Sequence, residues 1–173
     1  TGSGGALVTN NKKFFNLANH LASQAKEDSF HYIHDQIGYN YKLNNLLSSL
    51  GLSQLKKLES FIKKKKKIHQ YYVKIFKKFD DITVCEPNPG IISNYWFTVI
   101  TFKNLNKNLL IKLKNFTKKN NIEIRQVWKP AHTQKYLKNF QKFKLMNSEK
   151  LYNNSICLPS NIKLSLKNLN FIS

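Results

Sequence analysis

The sequence has 173 residues, with 29 lysines and arginines against 9 aspartates and glutamates, which gives a formal charge of +20. No apolar run approaches the roughly 20 residues that cross a bilayer, so an integral membrane protein is excluded. Two cysteines without paired spacing, Cys85 and Cys157, indicate neither a disulfide framework nor a zinc site. A reducing cytoplasm is the expected location.

So high a charge is typical of proteins that bind nucleic acid or an acidic surface. However, Arg125 is the one arginine among the 29 basic residues, and arginine is preferred for bidentate contacts with phosphates and bases. Lysine, asparagine, isoleucine and phenylalanine, whose codons are A/T-rich, are all abundant. We therefore interpret most of the charge, including the run Lys63–Lys67, as a solvated surface. Nucleic acid is not the expected partner.

The chain opens with a glycine-rich turn, Thr1–Gly5, which predicts a sequence that starts inside a longer protein. A short strand is expected over Ala6–Thr9. A helix capped by Asn10 or Asn11 should follow and end near Gln24, because its apolar residues recur at helical spacing.

Residues Lys26–Gln36 form a predicted polar loop that contains His31 and His34. Histidines three positions apart are compatible with a metal on one helical face, but no third ligand has supporting spacing. A solvent-facing or substrate-proximal loop is therefore favoured over a metal site.

The segment Ile37–Ile62 combines a polar, aromatic-flanked loop with the longest helical pattern in the chain. Asn44 or Asn45 is the expected cap, and leucines at spacings of three and four define one buried face. The periodicity continues to about Asp80, so the helix is either long or bent in two. Gly51 inside it costs about 1 kcal/mol relative to alanine. It indicates either close approach of another backbone or a ligand, or a glycine tolerated by strong packing.

The rest of the chain alternates short strands and helices. Strands are predicted over 82–85, 95–102 and 122–128, a helix capped by Asn106 over 109–120, and short helices or turns over 136–143 and 149–155. The order strand, strand, helix, strand indicates a compact α+β layer that closes over one side of a cleft.

Trp128, Pro130 and His132 lie at the end of the third of these strands, where a loop is expected. One interpretation is a wall that contacts a sugar or nucleotide, with Trp128 offering an apolar face and His132 a hydrogen-bond donor. The other is a core tryptophan beside a histidine on a surface turn, and composition alone favours it.

The run GYNYKLNNLLSSLGLSQLKKL, residues 38–58, resembles the hallmark segment of the DegT/DnrJ/StrS family of sugar-nucleotide aminotransferases. The usual wording there is close to G-Y-N-Y-R-(L/M)-x-N-(L/I)-x-A-A-(L/I)-G-x-x-Q-L. The positions that fit include Asn40, Asn45, Gly51 and Gln54. Two departures are Lys42 in place of a frequent arginine and a serine pair at 48 and 49 in place of two alanines.

Three other segments resemble the same family. Thr1–Thr9 is similar to T-G-x-G-G-x-(L/V)-V-T, which in the family follows a few residues after the lysine that carries pyridoxal phosphate. Ser155–Ser160 is similar to the near-terminal S-x-x-L-P segment. The pattern Arg-x-x-aromatic-x-Pro-x-His is met by Arg125, Trp128, Pro130 and His132. This match favours the substrate wall over the core tryptophan.

The resemblance spans nearly the whole chain, as the C-terminal half of a typical member. It implies mixed α/β structure, the C-terminal portion of an aspartate-aminotransferase-like (fold type I) enzyme that ends in a small α+β domain. The expected boundaries are 1–43 for the end of the large cofactor-binding domain, 44–80 for a long connecting helix and 81–173 for the small domain.

The resemblance further implies a pyridoxal-phosphate-dependent aminotransferase that moves an amino group, usually from glutamate, onto a nucleotide-linked keto-deoxysugar for surface polysaccharide or glycan biosynthesis. The Schiff-base lysine is expected just upstream of Thr1. This chain is therefore expected to be a fragment that contains no catalytic residue and is inactive alone. Segments 93–96 and 127–132 favour members that aminate 4-keto-6-deoxy-N-acetylhexoses carried on UDP.

The site residues follow from the same resemblance. Asn40 is expected to donate to the cofactor phosphate across the interface of a homodimer with a shared active site. Contacts with the nucleotide sugar are expected from five residues: Tyr39, Lys42, Arg125, Trp128 and His132. No metal is expected.

Two other classes of function stay open at this stage. One is a basic binding module for nucleic acid or anionic surfaces, which would interleave aromatic and basic residues on an exposed face. Tyr71 and Tyr72 beside the lysine run are its only local hint. The other is a non-catalytic regulator that retained the family fold.

Overall fold

The first helix begins where its cap predicts. In the computed structural model, which describes residues 1–173, α1 spans Lys12–Ala22, and the Asn11 side chain accepts hydrogen bonds from the N–H groups of Lys13 and Phe14. No strand forms over residues 6–9, so that prediction is wrong. The residues have the right composition, but no other segment pairs with them to complete a ladder.

The polar loop predicted over Lys26–Gln36 contains a small hairpin instead. Strand β1, Lys26–Asp28, pairs antiparallel with β2, Ile33–His34. The Asp28 carboxylate closes the turn by accepting hydrogen bonds from the backbone N–H groups of Phe30 at 2.7 Å and His31 at 2.9 Å. These bonds, first of all those from His31, lower the pKa of Asp28. Local side-chain bonds of this kind form a turn that hydrophobic periodicity does not reveal.

The long helical pattern in the middle of the chain is divided between two helices. Helix α2 spans Asn45–Leu55, and the Asn44 side chain caps it by accepting from the Leu47 N–H at 2.9 Å. Helix α3 spans Leu58–Phe76. Of the two predicted forms, the pattern therefore divided in two is the correct one, and one long helix does not form.

Gly51 in α2 lies against the beginning of the chain. A Cβ atom placed on it would lie 2.8 Å from Cγ2 of Thr1, closer than real Cβ atoms come to a neighbour. The nearest neighbour of Gly51 is therefore a side-chain methyl group of Thr1 and not another backbone, so the choice between the two interpretations stays a prediction.

The chain divides into two compact units, residues 1–58 and 59–173. The first contains α1, the hairpin and α2, and the second contains nearly all of α3 and everything that follows. No helix in either unit is both long enough and apolar enough to cross a membrane.

The second unit is built on a four-stranded antiparallel sheet. Its strands are β3 (Ile82–Val84), β4 (Thr98–Phe102), β5 (Arg125–Gln126) and β6 (Ser155–Leu158), in the spatial order β3-β4-β6-β5. The three predicted strands are present but shorter than expected. Strand β6, which lies between β4 and β5, has no counterpart among them, because a four-residue run buried on both faces lacks the alternation that reveals a strand.

Three helices complete this unit. They are α4 (Lys107–Lys119), α5 (Met146–Asn154) and α6 (Leu166–Ile172), with short 3-10 turns at Ala131–Thr133 and Lys135–Leu137. Asn106 caps α4 as predicted, by accepting from the Leu109 N–H at 2.8 Å. Ser165 caps α6 through a reciprocal pair of hydrogen bonds with Asn168.

One face of the sheet packs against α3 and forms the core. The buried members of this core are Ile68, Tyr72, Phe76, Ile100, Leu105, Ile156, Leu158 and Leu169. The Tyr72 side chain is fully buried, and its hydroxyl donates to the carbonyl of Pro159 at 2.9 Å. Burial raises the pKa of Tyr72. The opposite face of the sheet is left to line a cavity.

Candidate functional site

The loop at residues 38–42 is fixed to the end of α1 by three backbone hydrogen bonds. The N–H of Tyr39 donates to the carbonyl of Leu21 at 2.7 Å, and the N–H of Tyr41 donates to Ala22 at 3.0 Å. In return, the N–H of Gln24 donates to the carbonyl of Tyr39 at 3.0 Å. These bonds hold the loop as a defined strand-like segment, although most of its side chains are exposed.

Gly38 allows the loop to come this close. A Cβ atom on it would lie 2.3 Å from both the backbone carbon of Gln24 and the backbone nitrogen of Ala25. Beyond it, the rings of Tyr39 and Tyr41 stack with centroids 4.9 Å apart.

Asn40 and Lys42 line a cavity of about 940 Å³ in the first unit. Its walls come from the glycine-rich start of the chain, from α1 and from the loop itself. The Lys42 ammonium donates to the side-chain oxygen of Asn19 at 2.5 Å, which holds its positive charge beside the cavity. The cavity therefore brings together Tyr39, Asn40 and Lys42, the three site residues predicted in this part of the sequence.

The histidines of the first unit are held by separate partners. His31 Nδ1 lies 3.2 Å from the Asp28 carboxylate, and His34 Nδ1 lies 2.8 Å from the carbonyl oxygen of Gln24. A third histidine, His20, contacts Asp35 at 2.6 Å, and this hydrogen bond lowers the pKa of Asp35. The His20–Asp35 contact ties the flank of the hairpin to α1, the His34 contact ties the hairpin to the residues just after α1, and the His31 contact lies within the hairpin.

In the second unit, Trp128 and His132 line a cavity of about 600 Å³ against the face of the sheet that is not in the core. Its walls are mostly apolar, and α5 covers one side. His132 is 11% exposed, and its Nε2 lies 2.7 Å from the Glu149 carboxylate. The pair fixes the orientation of the imidazole ring at the wall of the cavity.

Arg125 lies apart from these two residues. Its guanidinium donates two hydrogen bonds to Glu123 Oε1, at 2.9 and 2.7 Å, and is largely exposed. It lines a different cavity, of about 570 Å³, together with Cys157. Burial raises the pKa of the Cys157 thiol, although the nearby Arg125 opposes the shift. The four residues predicted as one motif are therefore divided between two cavities.

Trp96 and Glu149 are absent from the site residues predicted by sequence. Glu149 pairs with His132, and the ring centroid of Trp96 lies 5.5 Å from that of Trp128. The segment that contains Trp96 can be singled out by resemblance. Its contact with Trp128 cannot, because the two residues are 32 positions apart and meet only when the sheet forms.

The model of the DegT/DnrJ/EryC1/StrS aminotransferase family matches residues 1–172. The chain belongs to this family. GDP-perosamine synthase of Escherichia coli O157:H7 is 31% identical over 173 residues, which cover 99% of this chain and 46% of that protein. The UDP-4-amino-4,6-dideoxy-N-acetyl-beta-L-altrosamine transaminase of Campylobacter jejuni 81-176 is 25% identical over 190 residues, which cover 99% and 46%.

A solved structure gives the same result. PseC of Helicobacter pylori, an aminotransferase involved in the biosynthesis of pseudoaminic acid, superposes with a TM-score of 0.78 at 26% identity, covering 95% of this chain and 45% of that one. The predicted family and fold class are therefore confirmed. The chain spans about half the length of the curated relatives it matches.

Proposed function

We propose that this chain forms part of an enzyme that moves an amino group from an amino acid, expected to be glutamate, onto a nucleotide-linked keto-deoxysugar. The family match over residues 1–172 carries the proposal. The names of two relatives, GDP-perosamine synthase and UDP-4-amino-4,6-dideoxy-N-acetyl-beta-L-altrosamine transaminase, support this class of substrate. The proposed role is surface polysaccharide or glycan biosynthesis, in the cytoplasm.

The proposed cofactor is pyridoxal phosphate, and Asn40 is the residue of this chain that would hold its phosphate. The Asn40 side chain is exposed where it lines the cavity of the first unit, so its amide N–H groups are available to a ligand. An amide donor with the Lys42 ammonium nearby suits a phosphate oxygen, so this donor set fits the phosphate end of the cofactor. When bound, pyridoxal phosphate supplies an electron-accepting ring that carries the amino group between the two substrates.

Tyr39 and Lys42 are proposed to contact the nucleotide sugar from the same loop. The hydrogen bond from Lys42 to Asn19 keeps the ammonium at the cavity before a ligand arrives. An ammonium makes point-like contacts with a phosphate, whereas the planar fork of arginine makes two parallel ones. Lys42 is therefore expected to attract the diphosphate with less geometric selectivity than arginine would.

Trp128, His132 and Arg125 are the proposed substrate contacts of the second unit. Support for Trp128 and His132 comes from their shared cavity and from the Glu149 carboxylate that orients His132. Arg125 has the least structural support of the three, because its guanidinium would have to give up its two hydrogen bonds to Glu123 in order to bind a substrate anion.

The proposed partner is a second copy of the same protein, with the active site shared between the subunits. In the first unit Ala25 is the one buried hydrophobic residue, while large apolar side chains remain exposed. They include Phe14, Phe15, Leu46, Leu50 and Leu55. Exposed apolar surface of this kind is typical of an interface with another polypeptide.

A chimera tests the proposal: this chain replaces the part that it matches in the E. coli GDP-perosamine synthase. With glutamate and the keto-sugar acceptor, mass spectrometry should detect the amino sugar. Asn40→Ala should weaken pyridoxal phosphate binding about 10- to 100-fold, because a hydrogen bond to a charged group contributes about 1.5–3 kcal/mol. Asn10→Ala, which removes an exposed amide that does not line the cavity, is the matched control.

Two results would contradict the proposal. One is a chimera that binds the cofactor and forms no amino sugar. The other is an Asn40→Ala chimera whose affinity for the cofactor equals that of Asn10→Ala. A basic binding module is not favoured as an alternative, since the family match leaves almost no residue outside it.

A further inference from the structure

Two exposed tryptophans of the second unit lie side by side. The ring centroids of Trp96 and Trp128 are 5.5 Å apart with the planes tilted by 40°, and the residues are 61% and 63% exposed. We propose that this tryptophan pair is the platform on which the nucleobase of the nucleotide sugar stacks. The inference rests on the proposed function, and it adds Trp96 to the substrate-binding residues.

The backbone that carries Trp96 is held in place by polar contacts. The Asn94 side chain accepts from the N–H of Trp96 at 3.0 Å, and the Ser93 hydroxyl accepts from the N–H of Tyr95 at 3.0 Å. On the other side, the Lys65 ammonium donates to the carbonyl of Trp96 at 2.8 Å. The indole is therefore presented by a fixed turn.

Tyr95 strengthens this interpretation, because its backbone has a φ of +51°. A non-glycine residue in that region is strained, and such strain persists where the surroundings determine it. Here the Tyr95 ring packs on the buried His69, with centroids 5.0 Å apart. The Tyr95 ring is thus directed inwards while the next side chain, that of Trp96, is directed outwards.

Phe97 supports both indoles from the inner side. Its ring centroid lies 4.8 Å from Trp96 and 5.7 Å from Trp128, and the residue itself is half-buried. The three rings form one cluster that leaves the two tryptophans accessible. Trp128 also belongs to the wall of the cavity of about 600 Å³, so a ligand on the platform would lie at its edge.

A nucleoside diphosphate matches both the exposed aromatic rings and the positive charge of this surface. Stacking on aromatic side chains tolerates any base, because every base has a π-face. Positive charge is close, since Lys129 follows Trp128 directly and Lys65 is bonded to the backbone of Trp96. A purely apolar partner would not use these ammonium groups, whereas the diphosphate of a nucleotide sugar would.

The chain offers a direct readout, because Trp96 and Trp128 are its only two tryptophans. The intrinsic indole fluorescence of the full chain therefore reports on the platform alone. We expect UDP, dTDP and GDP each to quench it saturably, after correction for absorption by the base. Ribose 5-phosphate and inorganic pyrophosphate, which carry charge without a base, should bind at least about tenfold more weakly, given the size of a base-stacking contribution.

Substitutions separate stacking from charge. Trp96→Leu should weaken UDP binding about tenfold, whereas Trp96→Tyr, which keeps a flat ring, should retain most of the affinity. Phe116→Leu is the matched control, because Phe116 is 65% exposed on α4 and is not part of the ring cluster of Trp96, Phe97 and Trp128. The indole N–H signal of Trp128 in NMR spectra measures binding to the variants, and circular dichroism confirms that they are folded.

Equal binding of pyrophosphate and UDP, or equal affinity of Trp96→Leu and Phe116→Leu for UDP, would overturn the platform. The amino-transfer assay of the chimera does not enter this test. Base-dependent quenching without amino transfer would keep the platform and overturn the proposed function. If the chimera transfers the amino group and Trp96→Leu leaves its Michaelis constant for the nucleotide sugar unchanged, the proposed function would stand and the platform would be overturned.

Discussion

Replacing Gly38 by alanine should release the 38–42 loop from α1. The added Cβ would lie 2.3 Å from two backbone atoms, at least 1 Å closer than the 3.4 Å at which ordinary contact begins. Backbone cannot rotate away as a flexible side chain does, so the three hydrogen bonds that join the loop to Leu21, Ala22 and Gln24 must lengthen or break. At about 1 kcal/mol for each net hydrogen bond, the expected loss of unfolding free energy is about 3 kcal/mol.

Urea unfolding and amide hydrogen exchange measure this loss. With a urea slope of about 2 kcal/mol per molar, the midpoint for the first unit should fall by about 1.5 M. The amide protons of Tyr39 and Tyr41 should lose their protection, because both donate to α1. Gly5→Ala is the matched control, since a Cβ there meets nothing within 4 Å and should change stability by less than about 0.5 kcal/mol.

The reasoning is refuted if Gly38→Ala and Gly5→Ala unfold at the same urea concentration with unchanged exchange at Tyr39 and Tyr41. That result would mean that the loop is not pressed against α1. The position of Asn40 and Lys42 in a shared cavity would then lose its structural basis.

Three further predictions concern the core and the site. His69 is 4% exposed, and burial lowers its pKa below 6.5, although the charge of Glu86 opposes the shift. The unfolded chain therefore binds more protons than the folded chain between these two pKa values. The free energy of unfolding should fall as the pH drops below 6.5, until the pKa of the folded state is reached. Urea midpoints measured above and below that pH should therefore differ more in the native chain than in His69→Phe. Tyr72→Phe leaves the Pro159 carbonyl without its buried donor and should lower the free energy of unfolding by about 1–2 kcal/mol, which lowers the urea midpoint. An unchanged midpoint would contradict the hydrogen bond. Lys42→Arg in the chimera should lower the Michaelis constant for the nucleotide sugar and leave kcat unchanged, because arginine makes two parallel contacts with a phosphate. Steady-state kinetics in which only kcat changes would contradict a contact between Lys42 and the diphosphate.

The helix starts could be predicted because capping is local. Asn11, Asn44 and Asn106 each accept a hydrogen bond from the first turn of the helix that follows. A single side chain and the next three residues determine such a start. The apolar spacing is compatible both with one long helix and with a pattern divided in two, so it did not decide between them.

Strands were harder to predict because they depend on distant partners. Residues 6–9 have strand composition and no partner, whereas Ser155–Leu158 pairs with β4 and β5 on both sides. The hairpin at residues 26–34 depends on turn bonds to Asp28 rather than on periodicity. Pairing decided each of these three cases, and it is not visible in a short window of sequence.

In the candidate site, too, local features could be predicted from the sequence and contacts between distant residues could not. The 38–42 loop could be found from its sequence because its residues are contiguous, and Gly38 explains its position. Arg125 and His132 are close in sequence, yet they line different cavities, because β5 ends between them. Trp96 reaches Trp128 only because β4, which follows Trp96, and β5, which precedes Trp128, both pair with β6.

Reductive trapping with borohydride tests the central claim most directly. If this chain supplies the phosphate donor and substrate contacts of an aminotransferase, pyridoxal phosphate added to the chain alone should label no lysine stoichiometrically. In the chimera it should label one lysine, outside residues 1–173, and mass spectrometry of the digested protein identifies it. A single saturating label on one of this chain's own lysines would contradict the account.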